Sequence, residues 1–192
     1  MRPAYDEARA ELGERISAEA LDHAERVAEA AMEIAARYGI DVEQARLAGL
    51  LHDWHRETPA AELLDRAAAL GIPITDVDHS VPYLLHGPVA AADLAIRYPQ
   101  MDEAVLDSIA AHTYGAETMA PLSMVVYVAD VIEPGRDHVG VGDLRSAVGS
   151  VSREELFARA YEASMQYLIA RRRRIHPATV ETWNRYCAGD RA

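Results

Sequence analysis

The chain has 192 residues, 50% of them hydrophobic, with 19 Lys and Arg against 31 Asp and Glu and a formal net charge of −12. That length fits one domain with a substantial core, and the hydrophobic share excludes a disordered chain. The acidity lacks the basic footprint of a nucleic-acid binder, and a single cysteine, Cys187, excludes an internal disulfide framework and points to a reducing, cytoplasmic setting.

In chain order, the opening stretch to Arg15 is charged and lacks the apolar core of a signal peptide. Residues 1–15 are set apart as an N-terminal extension. From Ser17 to Tyr38 the spacing predicts a helix whose inner stripe is Leu21, Ala24, Val27, Ala28, Ala31, Ala35 and Tyr38, closed by Gly39. His23 stands at the edge of that stripe. Asp41 with Gln44 reads as a capping box for a second helix ending near His52–Asp53–Trp54. Thr58–Pro59 opens a third, closed by Gly71. A loop is predicted from Ile72 to Pro82, then a helix from His86–Gly87–Pro88 to Tyr98.

Asp102 caps the next helix, with Val105, Leu106, Ile109 and His112 on its inner face. Pro121 opens the most apolar helix, Leu122 to Ile132, stopped by Pro134–Gly135. Its apolar run is too short to span a bilayer. Loop residues lead to Ser152, read with Glu155 as another capping box, and to a long helix ending in Arg171–Arg174, a cationic run suited to a helix C-terminus. A last short helix starts at Pro177. Strand signals are absent, so the fold class is all-α.

The chemistry starts from His52–Asp53. Neutral imidazole and carboxylate, side by side at a helix end, suit Zn, Mn or Fe. The dipeptide alone is weak evidence, because chance His–Asp pairs are common. Asp130 adds to it: the Val125–Ile132 segment is the one most expected to be buried, and a lone buried carboxylate is costly unless paired or metal-bound. The plain alternative is an ion pair with an arginine such as Arg136. His23 completes an H…HD…D pattern across three helices. His86 and His112, each at a helix end, fit a second metal. His55, His79 and His138 are taken as surface, supporting or loop residues.

This order resembles the HD-domain phosphohydrolase superfamily. More closely, the chain is similar to the bacterial HD-domain bis(5′-nucleosyl)-tetraphosphatase (symmetrical), YqeK-type family. The resemblance is carried by Ala48–Asp53, Leu85–Gly87, Ile109–Thr113, Val126–Arg136, Gly140–Val141 with Leu144–Arg145, and Ile175–Pro177 with Thr179 and Asn184. It implies a single HD-domain helical bundle over 16–187. It also implies two transition-metal ions, iron with Mn, Co or Zn as alternatives, held by His23, His52, Asp53, His86, His112 and Asp130.

The implied reaction is cleavage of diadenosine tetraphosphate into two ADP through a metal-bridged hydroxide, with Asp53, Arg136 and His176 catalytic. Arg56, Thr113, Glu133, Arg136, His176 and Asn184 would contact substrate. The family shows a small residue and lysine after His-Asp, where this chain has Trp54–His55–Arg56. Other HD-type nucleotide phosphohydrolases, a nucleotidase or a cyclic-nucleotide phosphodiesterase, and a non-catalytic nucleotide-sensing module are the competing readings. The expected partner is a small-molecule nucleotide, with no nucleic acid and no membrane; a homodimer is compatible.

Overall fold

The computed structural model describes residues 3–188, and among them there are helices and no strand. Eleven α-helices follow in order: α1 (Tyr5–Gly13), α2 (Ala18–Tyr38), α3 (Val42–Leu51), α4 (Ala60–Ala69), α5 (Asp76–Ser80), α6 (His86–Arg97), α7 (Glu103–Ala111), α8 (Pro121–Ile132), α9 (Val141–Ala147), α10 (Arg153–Ala170) and α11 (Pro177–Tyr186). A 3₁₀ turn, Pro82–Leu85, leads directly into α6. No described helix is long and apolar enough to cross a membrane.

The predicted starts hold where a side chain caps the helix. The Ser17 and Ser152 hydroxyls accept the Ala20 and Glu155 N–H groups, and the Asp41 and Asp102 carboxylates serve α3 and α7. The reciprocal half of the two expected boxes is missing. Gln44 donates to Asp102 at 2.9 Å and Glu155 accepts from Arg159, so neither returns to its cap. Three helices lie outside the predicted elements. Within residues 1–15, α1 buries Ala8 and Leu12 in the main core. Within the predicted Ile72–Pro82 loop, Thr75 and Asp78 form a true capping box at α5, and α9 starts from Gly140 in the left-handed conformation.

Helix α8 is buried along nearly its whole length, as so predominantly apolar a helix must be. Around it pack α2, α3, α7, α9 and α10. On one side Tyr127 meets Phe157 and Tyr161, and Phe157 meets Tyr186, tying α8 to α10 and α11 through aromatic edges. On the other, α2 and α3 meet almost backbone to backbone. A Cβ on Gly49 would lie 2.9 Å from the Ala28 Cα and 3.0 Å from the Val27 carbonyl, and Ala24, Ala28, Ala45 and Ala48 are fully buried nearby. That close approach sets where His23 and His52 stand.

Candidate metal centre

Five elements deliver the six expected ligands to one place. His23 projects from the middle of α2; His52 and Asp53 follow the last turn of α3; His86 begins α6; His112 follows the last turn of α7; Asp130 lies in the final turn of α8. His23, His52, Asp53, His86 and His112 are buried, whereas the Asp130 side chain is 24% exposed and opens to solvent. Adjacent imidazole rings stand 4.8–5.4 Å apart, edge to face.

The hydrogen bonds behind the rings assign their tautomers. Nδ1 of His52, His86 and His112 lies 2.7, 2.6 and 2.7 Å from the carbonyl oxygens of Gly49, Tyr83 and Ile109. A carbonyl only accepts, so each Nδ1 carries a proton, and in the neutral ring Nε2 is the nitrogen that keeps its lone pair. Those Nε2 atoms converge on carboxylates. Asp53 Oδ2 is 3.2 Å from His52 and 3.5 Å from His23, while Oδ1 is 3.1 Å from His86 and 3.7 Å from His112. Asp130 Oδ1 lies 3.1 Å from His23 and 4.0 Å from His52.

Lone pairs therefore face anions, and Nε2 of His86 and His112 face each other at 2.9 Å. The buried Nε2 atoms of His23 and His52 make no hydrogen bond at all. Imidazole nitrogens facing carboxylates in this way form a donor set that could hold a metal ion. Two overlapping groups, His23–His52–Asp130 and His52–Asp53–His112, each bring ligand atoms within 4.8 Å of one another.

The electrostatics agree with that donor set. Burial pushes the His112 imidazole down to about 4, keeping it neutral at ordinary pH. Burial also works against protonating His52, but the Asp53 and Asp130 carboxylates outweigh it and raise its pKa, so proton and metal compete for one nitrogen. Asp53 resists the effect of burial through the facing imidazoles and stays well below the usual carboxylate range. Asp130 does so through His23, His52 and Arg136.

The other expected residues fall in four places. Arg56 pairs with Asp53, and Arg136 donates to the Asp130 carboxylate at 2.5 Å and its carbonyl at 2.9 Å; both guanidiniums are about one-third exposed. The arginine partner weighed against metal binding at Asp130 is thus present together with the imidazoles. Thr113 is beside His112, its hydroxyl 3.4 Å from the Leu84 carbonyl. Glu133, expected along a phosphate path, is 2% exposed and sits behind His23.

His176 caps α11 by accepting the Ala178 N–H on Nδ1, directs Nε2 at Asp78 3.3 Å away, and stacks on Tyr114 at 4.1 Å. Both its nitrogens are thus engaged within the protein. Asn184 is exposed on α11. His55 is buried, between Thr58 and an Asp93 carboxylate that Arg66 also holds.

Sequence reasoning missed Tyr83, Asp78 and Arg26. Tyr83 stacks on His86 at 4.5 Å, and burial with the Asp53 charge pushes its phenol up to about 12. Its place three residues before His86 was the only available signal.

The HD domain family profile matches residues 20–135. The Bacillus subtilis (strain 168) protein named symmetrical bis(5′-nucleosyl)-tetraphosphatase is 32% identical over 167 residues, covering 87% of this chain and 89% of that one. The Staphylococcus aureus (strain NCTC 8325 / PS 47) protein of the same name is 31% identical over 180 residues, covering 92% and 91%. A crystal structure of a predicted HD superfamily hydrolase involved in NAD metabolism, from Clostridium acetobutylicum, superposes with a TM-score of 0.87 at 30% identity over 96% of this chain and 97% of that one. With the profile reaching from α2 through α8 and these relatives aligned along most of its length, the chain belongs to the HD-domain family, in the branch of the symmetrical bis(5′-nucleosyl)-tetraphosphatases.

Proposed function

We propose that this protein is a metal-dependent nucleotide phosphohydrolase that cleaves diadenosine tetraphosphate at its central phosphoanhydride, giving two ADP. The observation that carries the reading is the convergence of four Nε2 lone pairs on Asp53 and Asp130, with Nδ1 locked behind each ring. The relatives named for this activity support the substrate.

His23, His52 and Asp130 would hold one ion and His86 and His112 the other. Asp53, whose two oxygens face the two histidine pairs, would bridge them. Two such ions, when bound, supply Lewis acidity to phosphoryl oxygens and lower the pKa of water; iron is the assignment, with Mn, Co or Zn as alternatives. Arg136 and Arg56 stand at the rim with exposed guanidinium edges, a geometry that matches phosphate oxygens in a bidentate way. They would orient the tetraphosphate and balance the charge that builds on the leaving diphosphate. Thr113 and Asn184 are assigned to the substrate side. His176 is given a supporting role there, holding α11 against Asp78.

The experiment is hydrolysis of diadenosine tetraphosphate by the metal-loaded protein in oxygen-18 water, with products resolved by chromatography and mass. Two ADP are expected, one labelled at its new terminal phosphate. ATP with AMP would refute the central cut, and no turnover of this substrate beside turnover of mononucleotides would favour a nucleotidase.

A further inference from the structure

Building on the metal reading above, we propose that Glu133 is a positioning residue for His23, supported by Arg26 and Gly135: together they dictate which nitrogen of that imidazole faces the metal cluster.

Three of the four candidate histidines stand at helix ends, where the carbonyl three residues back is there to accept from Nδ1. His23 differs because it lies in the interior of α2, whose carbonyls are engaged in the helical ladder. Its ring needs an acceptor from another element, and the structure supplies one from 110 residues away. Nδ1 is 3.2 Å from Glu133 Oε1.

That carboxylate is sealed from solvent, so burying it requires donors. It has them. Arg26 Nε donates to Oε2 at 2.7 Å and the Gly135 N–H at 2.5 Å. An ionised carboxylate filled in this way accepts from Nδ1–H and cannot donate. Nε2 of His23 is thereby left as a lone pair aimed at Asp53 and Asp130.

Space completes the device. A Cβ at Gly135 would stand 2.9 Å from both Nε and Nη2 of Arg26 and 3.0 Å from Glu133 Oε1. An alanine there would push the Arg26 guanidinium aside and press on the carboxylate. The Glu133–Pro134–Gly135–Arg136 stretch therefore divides its work: Glu133 and Gly135 face back toward His23, while Arg136 faces Asp130 at the rim.

The test compares chelator-stripped wild type, Glu133→Gln and Gly135→Ala. Mn²⁺ binding is measured by calorimetry, and the His23 tautomer is read from long-range ¹H–¹⁵N correlations. Wild type should show His23 protonated at Nδ1. Glutamine offers one acceptor oxygen to three donors, so Glu133→Gln should lose that single tautomer and bind the first ion roughly 10- to 100-fold more weakly. Gly135→Ala should shift both readouts in the same direction. Wild-type binding in Glu133→Gln with an unchanged tautomer would overturn the inference and leave the metal centre standing. A wild type that takes up no Mn²⁺ would instead remove the metal reading, and this inference with it. Should Glu133→Gln fail to fold, the wild-type tautomer and Gly135→Ala decide by the same criteria.

Discussion

Gly87→Ala is a sharp probe of the second histidine pair, because one added carbon touches it without removing any ligand. A Cβ at Gly87 would lie 3.0 Å from the Ile109 carbonyl oxygen and 3.1 Å from both Cε1 and Nδ1 of His112. Those are the acceptor and the ring of one hydrogen bond, 2.7 Å long. The methyl therefore presses on both halves of the support at once, and His86 Nε2 blocks the ring from behind at 2.9 Å.

Two effects compete. Alanine gains up to about 1 kcal/mol of helix propensity over glycine, and overpacking a tight contact costs about 1–3 kcal/mol. The net is a loss of about 0–2 kcal/mol, or up to about 8 °C in Tm for a chain of this size. Metal binding should suffer more. Ligand distances matter to about 0.2 Å, and disturbing a ligand's support typically weakens affinity about 10- to 100-fold. Thermal unfolding with and without chelator, together with metal titration, checks both. A variant that melts higher than wild type and binds two ions with wild-type affinity would show that α6 and α7 simply part, and the reasoning would fail.

Three further outcomes are expected. His112→Ala should leave about one ion per chain by elemental analysis and greatly reduced turnover; two retained ions with near-normal rate would replace the dinuclear assignment by a mononuclear one. Stripping metal from wild type should lower Tm, since an ion at a hundred times its Kd stabilises the native state by about 2.7 kcal/mol; identical melting of both forms would show a site uncoupled from folding. In metal-free protein His112 sits at about 4 against an ordinary 6.5. The unfolded chain takes up a proton in that window that the folded chain refuses, so this share of stability is full above about 6.5 and lost as pH falls. His52 acts in the opposite sense, so the measure is a difference: the urea midpoint should fall less between about pH 7 and 5 in His112→Asn than in wild type. Equal falls would count against it.

Much of this was legible in the sequence, for reasons that can be named. Ser17, Asp41, Asp102 and Ser152 cap helices with their own side chains, and Pro121 and Pro177 open helices at the first position, so each start is written locally. Helix α1 has Ala4 before it and is closed instead by Glu7 reaching back to the Ala4 N–H. It is short and charged, held by Ala8 and Leu12 against a core that only the fold creates. The candidate ligands could be named because His and Asp residues at helix ends and in an apolar helix, each weak evidence alone, together follow the H…HD…D order of a known family. The supports could not. Glu133 bonds a residue 110 positions away, the Nδ1 acceptors are backbone carbonyls of no fixed residue type, and the partner of His176 is Asp78, buried in a segment read as loop.

The contact between α2 and α3 has a one-sided consequence. Where two helices touch through long side chains, substitution can bring them nearer or push them apart. Here Gly49 meets the α2 backbone at Val27 and Ala28 with no room for even one added carbon, and the buried alanines Ala24, Ala28, Ala45 and Ala48 have only a methyl each to lose. Larger residues along this seam can only widen it. The approach of His23 to His52 is thus stopped by backbone contact at Gly49, and a bulkier residue there would open a larger ligand cage.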